Sequence, residues 1–310
     1  MERRDFLRTA LAGSAVGKVS GAGRAIPKRR YRDNVKLSIV GYGGIIVVGM
    51  EQAKANRSVA SAVERGVNYF DVAPTYWDGE AEIKLGEALK PHRKNVFLAC
   101  KTTQRDAAGA QKELDRSLGR LQTDHFDLYQ FHGINKVAEV DQILGPGGAA
   151  ETFDKARKAG KVRYIGCSVH STEAALAMLE RFPLDSVLFP VNFVCFQQGN
   201  FGPQILAKAK EKGAARLALK GLCHEAWPKG TKAAETKYPK CWYKPVDEPE
   251  LGAKALRFTL SEDITAAITP GYEQIFTMAL DIAAGFKTMK KGEREQLLAS
   301  TAGLTPIFKT

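Results

Sequence analysis

The chain of 310 residues is short of several things that would narrow its function at once. Its five cysteines, Cys100, Cys167, Cys195, Cys223 and Cys241, form no CxxC pair and no zinc-ligand spacing, so a disulfide framework, a zinc site and an iron–sulfur site are all unsupported. The first three lie in or just after apolar runs and read as buried small hydrophobes. No low-complexity tract interrupts the chain, and beyond the N-terminal region no apolar run is long enough for a membrane-spanning helix. A dinucleotide fingerprint of the doubly wound folds is also missing. Gly41-Tyr42-Gly43-Gly44 lacks the helix that must follow such a turn. The basic excess is uneven: residues 1–32 hold nine Lys/Arg against two Asp/Glu, so +7 of the formal +12 belongs to them. The remaining body is mildly basic, and no basic stripe interleaved with aromatics suggests nucleic acid.

The N-terminus reads as an address. Arg3-Arg4-Asp5-Phe6-Leu7-Arg8 precedes a weakly apolar Gly/Ala-rich stretch, and Gly23-Arg24-Ala25 offers small residues for cleavage before Ile26. Twin arginines followed by apolar residues are similar to a twin-arginine export signal. The expectation is a cleaved leader over residues 1–30, use of the twin-arginine export machinery, and a periplasmic or otherwise exported product. The alternative is a disordered basic tail on a cytoplasmic protein, which Lys18 inside the apolar stretch favours.

From Val35 onward, short apolar runs alternate with helical patterns, the signature of repeated βαβ units. Strands are expected over residues 68–72, 96–101, 126–131, 162–168, 186–191, 215–219 and 265–268. An eighth falls within 37–46, in an opening hairpin or strand–turn element that pairs 35–40 with 45–48. Helices are expected over 53–65, 80–89, 107–121, 149–159, 172–181, 203–212, 250–259 and 272–284. This repetition fits a single α/β domain over residues 31–310, a (β/α)8 TIM barrel, with a doubly wound sheet as the rival. One interval, from Leu219 to Glu250, is too long for an ordinary connection. It holds Trp227, Tyr238, Trp242, Tyr243 and four prolines, and is expected to be a long functional loop after the seventh strand.

Four segments place polar residues at the C-terminal ends of successive strands: Asp71 with Tyr76 five residues on, Lys101, His132, and Ser168 with His170. A Tyr hydroxyl needs a nearby cation to exchange protons near neutral pH. Lys101 can supply that cation, Asp71 can hold it, and His132 can polarise a substrate oxygen. Singly, each has a plainer reading: a structural ion pair, a loop tyrosine, a core histidine. Hydride must come from outside the side chains, and a nicotinamide is its ordinary source.

These segments resemble those of the aldo-keto reductase family. The resemblance is carried by Ser117-Leu118-Gly119-Arg120-Leu121, by Asp124-His125-Phe126-Asp127-Leu128-Tyr129-Gln130-Phe131-His132, and by Asn68-Tyr69-Phe70-Asp71 with Tyr76. Glu82 and Leu85-Gly86-Glu87-Ala88-Leu89 add to it. It runs from about Val35 to Ala284 and implies a (β/α)8 barrel with a catalytic Asp71, Tyr76, Lys101 and His132, Tyr76 being the general acid/base. It implies NAD or NADP held by Gly43, Gly44, Ser168, His170, Asn192, Lys220 and Gly271. The similar subgroup includes members with a C-terminal ferredoxin-like extension, whose cysteines this chain does not have.

The chain also departs from the family pattern. Ser168 is followed by Val169 where an Asn is usual, Leu188 takes the place of a Gln, and Leu219 that of a stacking aromatic. No Lys or Arg lies between Ile268 and Phe286, so the usual grip on an NADP 2′-phosphate is unsupported. Trp77, Trp227, Trp242 and Tyr243 offer flat faces for a sugar-like or aromatic carbonyl compound, with His224, Glu225 and Lys244 as added polar contacts. The leading expectation is an oxidoreductase interconverting a carbonyl and a secondary alcohol of a small, sugar-like molecule such as a carbohydrate. A redox-neutral isomerase or epimerase with a tightly bound, internally recycled NAD(P) is the alternative, since a folded, exported enzyme meets little free dinucleotide. A dinucleotide-binding sensor is a third reading, against which the tetrad speaks.

Overall fold

The structure is a computed structural model that describes residues 25–310. The twin-arginine-like segment, residues 3–8, lies outside the described residues. The described residues include some ahead of the boundary expected at residue 31. Ile26 is buried and its N–H donates to the Arg65 carbonyl at 3.1 Å. Two strands, β1 (Lys28–Arg32) and β2 (Val35–Ser38), then pair antiparallel. This is the opening hairpin, built from different residues than expected. The expected second arm at 45–48 is instead a 3-10 turn, Gly44–Val47, because the chain leaves the barrel mouth at Gly43 and must reverse there.

The barrel strands are β3 (Val40–Gly43), β4 (Tyr69–Asp71), β5 (Phe97–Thr102), β6 (Phe126–Ile134), β7 (Val162–Val169), β8 (Ser186–Pro190) and β9 (Ala215–Leu219). The long loop contributes an antiparallel pair, β10 (Cys223–Ala226) with β11 (Tyr243–Pro245), before β12 (Ala266–Ile268). Among the described residues β12-β3-β4-β5-β6-β7-β8-β9 closes as an all-parallel barrel of eight strands. The helices are α1 (Gln52–Glu64), α2 (Glu80–Leu89), α3 (Ala107–Arg120), α4 (Val137–Leu144), α5 (Ala149–Lys158) and α6 (Thr172–Arg181). They continue with α7 (Phe193–Gly199), α8 (Pro203–Glu211), α9 (Pro249–Ser261), α10 (Glu273–Ala284) and α11 (Lys291–Ala299). None of the described helices is long and apolar enough to cross a membrane.

Local chemistry explains where the helices start. Asp106 accepts the Gly109 N–H at 2.8 Å ahead of α3, and Glu248 accepts two backbone N–H groups ahead of α9, with Pro249 at the first helical position. Asn192 does the same for α7.

The strands carry two apolar sets because side chains alternate along them. The outer set meets the helices: Phe131 stacks on Phe153 of α5 at 3.9 Å between centroids, and Tyr129 lies 4.8 Å from the same ring. The inner set forms a separate barrel core that includes Tyr69, Phe97, Leu128, Tyr164 and Leu217. Tyr31 from β1 closes the bottom of this core. It meets Phe97 and Tyr164 edge-on at 5.1 and 5.3 Å, and its hydroxyl donates to Ser186 Oγ at 3.0 Å. Arg29 ties the hairpin to the carbonyls of Leu260 and Ile264. Tyr31→Ala is therefore expected to cost about 3 kcal/mol of stability, the range for losing a buried aromatic. Urea unfolding followed by circular dichroism measures it.

Candidate active site

Reading inward-facing positions two at a time up each strand leads from the apolar floor to a polar rim. Tyr69 is followed by Asp71, Phe97 by Ala99 and Lys101, Leu128 by Gln130 and His132, and Tyr164 by Gly166 and Ser168. The parallel register sets Asp71 beside Ala99 and Lys101 beside Gln130. Four separate stretches of chain thus place their polar groups in one layer at the C-terminal mouth.

At the centre, the Lys101 ammonium donates to Asp71 Oδ1, to the Val72 carbonyl at 3.1 Å and to the Tyr76 hydroxyl at 3.3 Å. Lys101 is 1% exposed and Asp71 3%. Gln130 Nε2 donates to Asp71 Oδ2 at 3.1 Å, and the Tyr69 hydroxyl approaches the same oxygen at 3.4 Å. Burial would depress the Lys101 ammonium, but Asp71 outweighs it and holds the lysine above its ordinary value. Burial raises the Tyr76 phenol, and Lys101 offsets part of that rise. Tyr76 is therefore protonated at neutral pH, with a cation against its oxygen.

Tyr76 reaches this position through a strained turn. Trp77 and Asp78 both adopt left-handed backbone (φ 50° and 51°), followed by Gly79 at φ 90°. Such residues cost of order 1–3 kcal/mol each and persist only where the surroundings impose them. Here the Arg120 guanidinium packs under Gly79, where a Cβ would lie 2.1 Å from Nη1, and is anchored on buried Glu82 at 3.2 Å. The Arg120 and Glu82 of the sequence motifs act in this outer brace.

His132 sits edge-on to Tyr76, ring centroids 5.9 Å apart at 84°. Burial, aided by the Lys101 charge, keeps it well below its ordinary pKa, and so neutral; its Nδ1 is buried without a partner. His170 is pushed down to about 4 by burial, with Lys220 adding to the effect. Its ring stacks on Phe308 at 4.9 Å, so the C-terminal tail returns against a residue of the cavity wall.

These groups surround a cavity of about 310 Å3. Of the residues expected to hold a nicotinamide cofactor, Ser168, His170, Lys220 and Gly271 line it. Ser168 also accepts the Gly133 N–H at 2.9 Å. Gly43, Gly44 and Asn192 do not line it. Gly43 and Gly44 let the chain pass close to its neighbours, for a Cβ would lie 3.2 Å from Ile268 Cγ2 and 2.7 Å from Val72 Cγ2, respectively. Asn192 spends its oxygen on the N–H groups of Val194 and Cys195 and its amide on the carbonyls of Lys220 and Cys223. It caps α7 and ties down the strand end. Of the expected substrate residues, Trp77, Trp242 and Tyr243 line the cavity, with Trp77 44% and Trp242 53% exposed. Trp227 does not; it lines a different cleft and donates to the Cys241 carbonyl at 3.0 Å.

Lys240, Thr269 and Gln130 were not singled out by sequence. Gln130 carried a signal, since it lies two residues before His132 on the inward face. Thr269 Oγ1 is buried without a partner at the cavity wall. Lys240 reaches across from the long loop to the carbonyls of Ile45, Ile46 and Val48 at 3.2–3.4 Å. Beyond it an open cleft of about 630 Å3 is lined by Lys54, Tyr272, Glu273 and Gln274. The two spaces share Lys240, and together with the unpartnered His132 and Thr269 they fit an elongated dinucleotide. No Lys or Arg of residues 268–286 lines this cleft; Lys54 of α1 does, and its charge is paired with Glu273 at 3.2 Å.

The depressed His170 sets a pH dependence. With an ordinary value of about 6.5 in the unfolded chain and about 4 in the fold, its contribution is fully present above pH 6.5. It is lost as pH falls towards 4. The urea midpoint of the wild type is expected to fall between pH 7 and 4.5, and that of His170→Gln to fall less.

A model of the aldo/keto reductase family matches residues 40–222. The chain is similar to the aldo-keto reductase YhdN of Bacillus subtilis, 28% identical over 193 residues that cover 58% of this chain and 56% of that protein. It thus spans about half that relative's length. It is also similar to L-galactose dehydrogenase of Arabidopsis thaliana, 25% identical over 301 residues covering 88% and 92%. An aldo-keto reductase from Klebsiella pneumoniae, solved in complex with NADPH, superposes with a TM-score of 0.66 at 19% identity, over 92% of this chain and 98% of that one. With a family match over more than half of its length, on a barrel of the same fold, this chain belongs to the aldo/keto reductase family.

Proposed function

We propose that this protein is a nicotinamide-dependent oxidoreductase that interconverts a carbonyl and a secondary alcohol on a sugar-like substrate, with Tyr76 as general acid/base. The observation that carries the reading is the Lys101 ammonium, tied to Asp71 and 3.3 Å from the Tyr76 hydroxyl. Bound NAD or NADP supplies the hydride that no side chain can donate. The chain's own residues handle the proton. Tyr76 gives its proton to the oxygen of a carbonyl being reduced, and Lys101 stabilises the phenolate that remains. In the reverse direction the same phenolate accepts the alcohol proton. His132, neutral at working pH, has ring nitrogens suited to orient that oxygen through a hydrogen bond.

Trp77, Trp242 and Tyr243 support a sugar-like substrate, because their flat apolar faces lie in the cavity beside hydrogen-bonding groups. L-galactose dehydrogenase among the relatives agrees with that class. The Lys240 bridge supports a second reading, a retained cofactor serving an isomerase or epimerase. Its ammonium fastens the long loop across the mouth to three backbone carbonyls, which slows exchange of anything beneath. The twin-arginine-like leader, and with it an exported location, belongs to the same proposal.

Tyr76→Phe removes only the hydroxyl and is expected to lower kcat by at least about a hundredfold while leaving fold and dinucleotide binding in place. Turnover near the wild-type rate overturns the assignment. Identifying any nucleotide that co-purifies with the exported protein separates the two readings: a bound stoichiometric NAD(P) favours retention, and readily exchangeable cofactor favours ordinary reduction.

A further inference from the structure

Three lysines line the catalytic cavity: Lys101, Lys240 and Lys220. Two are satisfied by the protein. Lys101 is paired with Asp71, and Lys240 is held by three carbonyls. Lys220 has neither kind of partner among the described residues. Its ammonium lies 4.6 Å from the centroid of the Tyr243 ring and 5.2 Å from that of Trp242. Such an aromatic cradle favours a cation but leaves its hydrogen-bond donors unused.

The placement is imposed by the fold. Lys220 directly follows β9 with φ 66°, the left-handed region that non-glycine residues seldom occupy. Its carbonyl accepts from Cys223 N at 2.9 Å and from Asn192 Nδ2 at 3.2 Å, which fixes the turn. The cap residue Asn192 thus positions a cation.

The charges around the cavity do not balance without a ligand. Among the described residues Asp71 is the only carboxylate lining it, and it is taken by Lys101. His132 and His170 are neutral, and Tyr76, Tyr243 and Cys241 are held protonated by burial. What remains is an open ammonium facing a space with no acidic group to answer it. Lys220 is half-buried, and burial lowers its ammonium below the ordinary lysine value, so an anion from outside is what stabilises its charge.

We propose that Lys220 anchors a carboxylate of the substrate, so that the sugar-like substrate of this enzyme is a sugar acid. This rests on the reading in which Tyr76 serves a carbonyl in the same cavity. The anion belongs at the catalytic end, because Lys220 lines the same cavity as Tyr76, Lys101 and His132. Trp242 and Tyr243, which cradle it, also wall the substrate space. The diphosphate of the dinucleotide is the competing source of anionic oxygen, and the test separates the two.

The test compares the wild type with Lys220→Met, which keeps the aliphatic stem and removes the charge. D-glucuronate, D-gluconate and neutral D-glucose are titrated by calorimetry with and without NAD+, and NADH is titrated separately. The expected result is that the wild type binds at least one acid tenfold or more tightly than glucose. Lys220→Met is expected to remove that preference and to weaken NADH by a smaller factor. Two results overturn the proposal: equal binding of acids and glucose by the wild type, or a loss of NADH affinity in Lys220→Met as large as the loss for the acids. The latter assigns Lys220 to the diphosphate. Because binding is read without turnover, the anchor and the catalytic reading fail separately. A preference for the acids that Lys220→Met removes supports the anchor even if Tyr76→Phe turns over normally.

Discussion

The buried ion pair of Asp71 and Lys101 is the interaction on which the rest of the site depends. Removing two charges from water costs several kcal/mol per ion, and their attraction compensates only when the remaining donors and acceptors are satisfied. Here they are. Gln130 and Tyr69 serve the second Asp71 oxygen, while the Val72 carbonyl and the Tyr76 hydroxyl serve the lysine. The pair adds nothing to the net charge of the cavity, yet it leaves an ammonium pointing at one phenol oxygen. His132 is kept neutral chiefly by its burial, and the Lys101 charge beside it adds to the effect.

Geometry supports the electrostatics. The period-two alternation of the strands lifts Asp71, Lys101, Gln130 and His132 into one layer above the aromatic floor. Tyr76 lies beyond its strand, and the left-handed turn at Trp77 and Asp78 brings it back. That turn is held from outside by Arg120 on Glu82, so residues of the helical layer secure a residue of the cavity. Family-like motifs at 82 and 117–121 read in this light as supports for the Tyr76 turn.

The barrel and its tetrad are legible in the sequence because both are periodic. Apolar runs spaced by helices mark the strands, and Asp71, Lys101 and His132 stand at their ends. The first strand was harder to place, since Gly43 and Gly44 break the apolar pattern at the point where the chain turns. What the sequence hides depends on the path of the long loop and on contacts between distant segments. Nothing local distinguishes Trp242, which lines the cavity as well as the neighbouring cleft, from Trp227, which lines that cleft alone. Asn192 matches a family cofactor position, yet its polar atoms are consumed by backbone. Lys54 escapes a search confined to residues 268–286 because it arrives from α1. Phe308 meets His170 only through the return of the tail.

The central claim is that Lys101 acts on Tyr76 through its charge. It is tested by following the titration of a carbon-13-labelled Tyr76 ring by NMR in the wild type and in Lys101→Met, each verified as folded by circular dichroism. The account predicts that Tyr76 titrates at a higher pH once the ammonium is gone, because burial then acts without its counterweight. An unchanged or lower Tyr76 titration in the folded variant would contradict it.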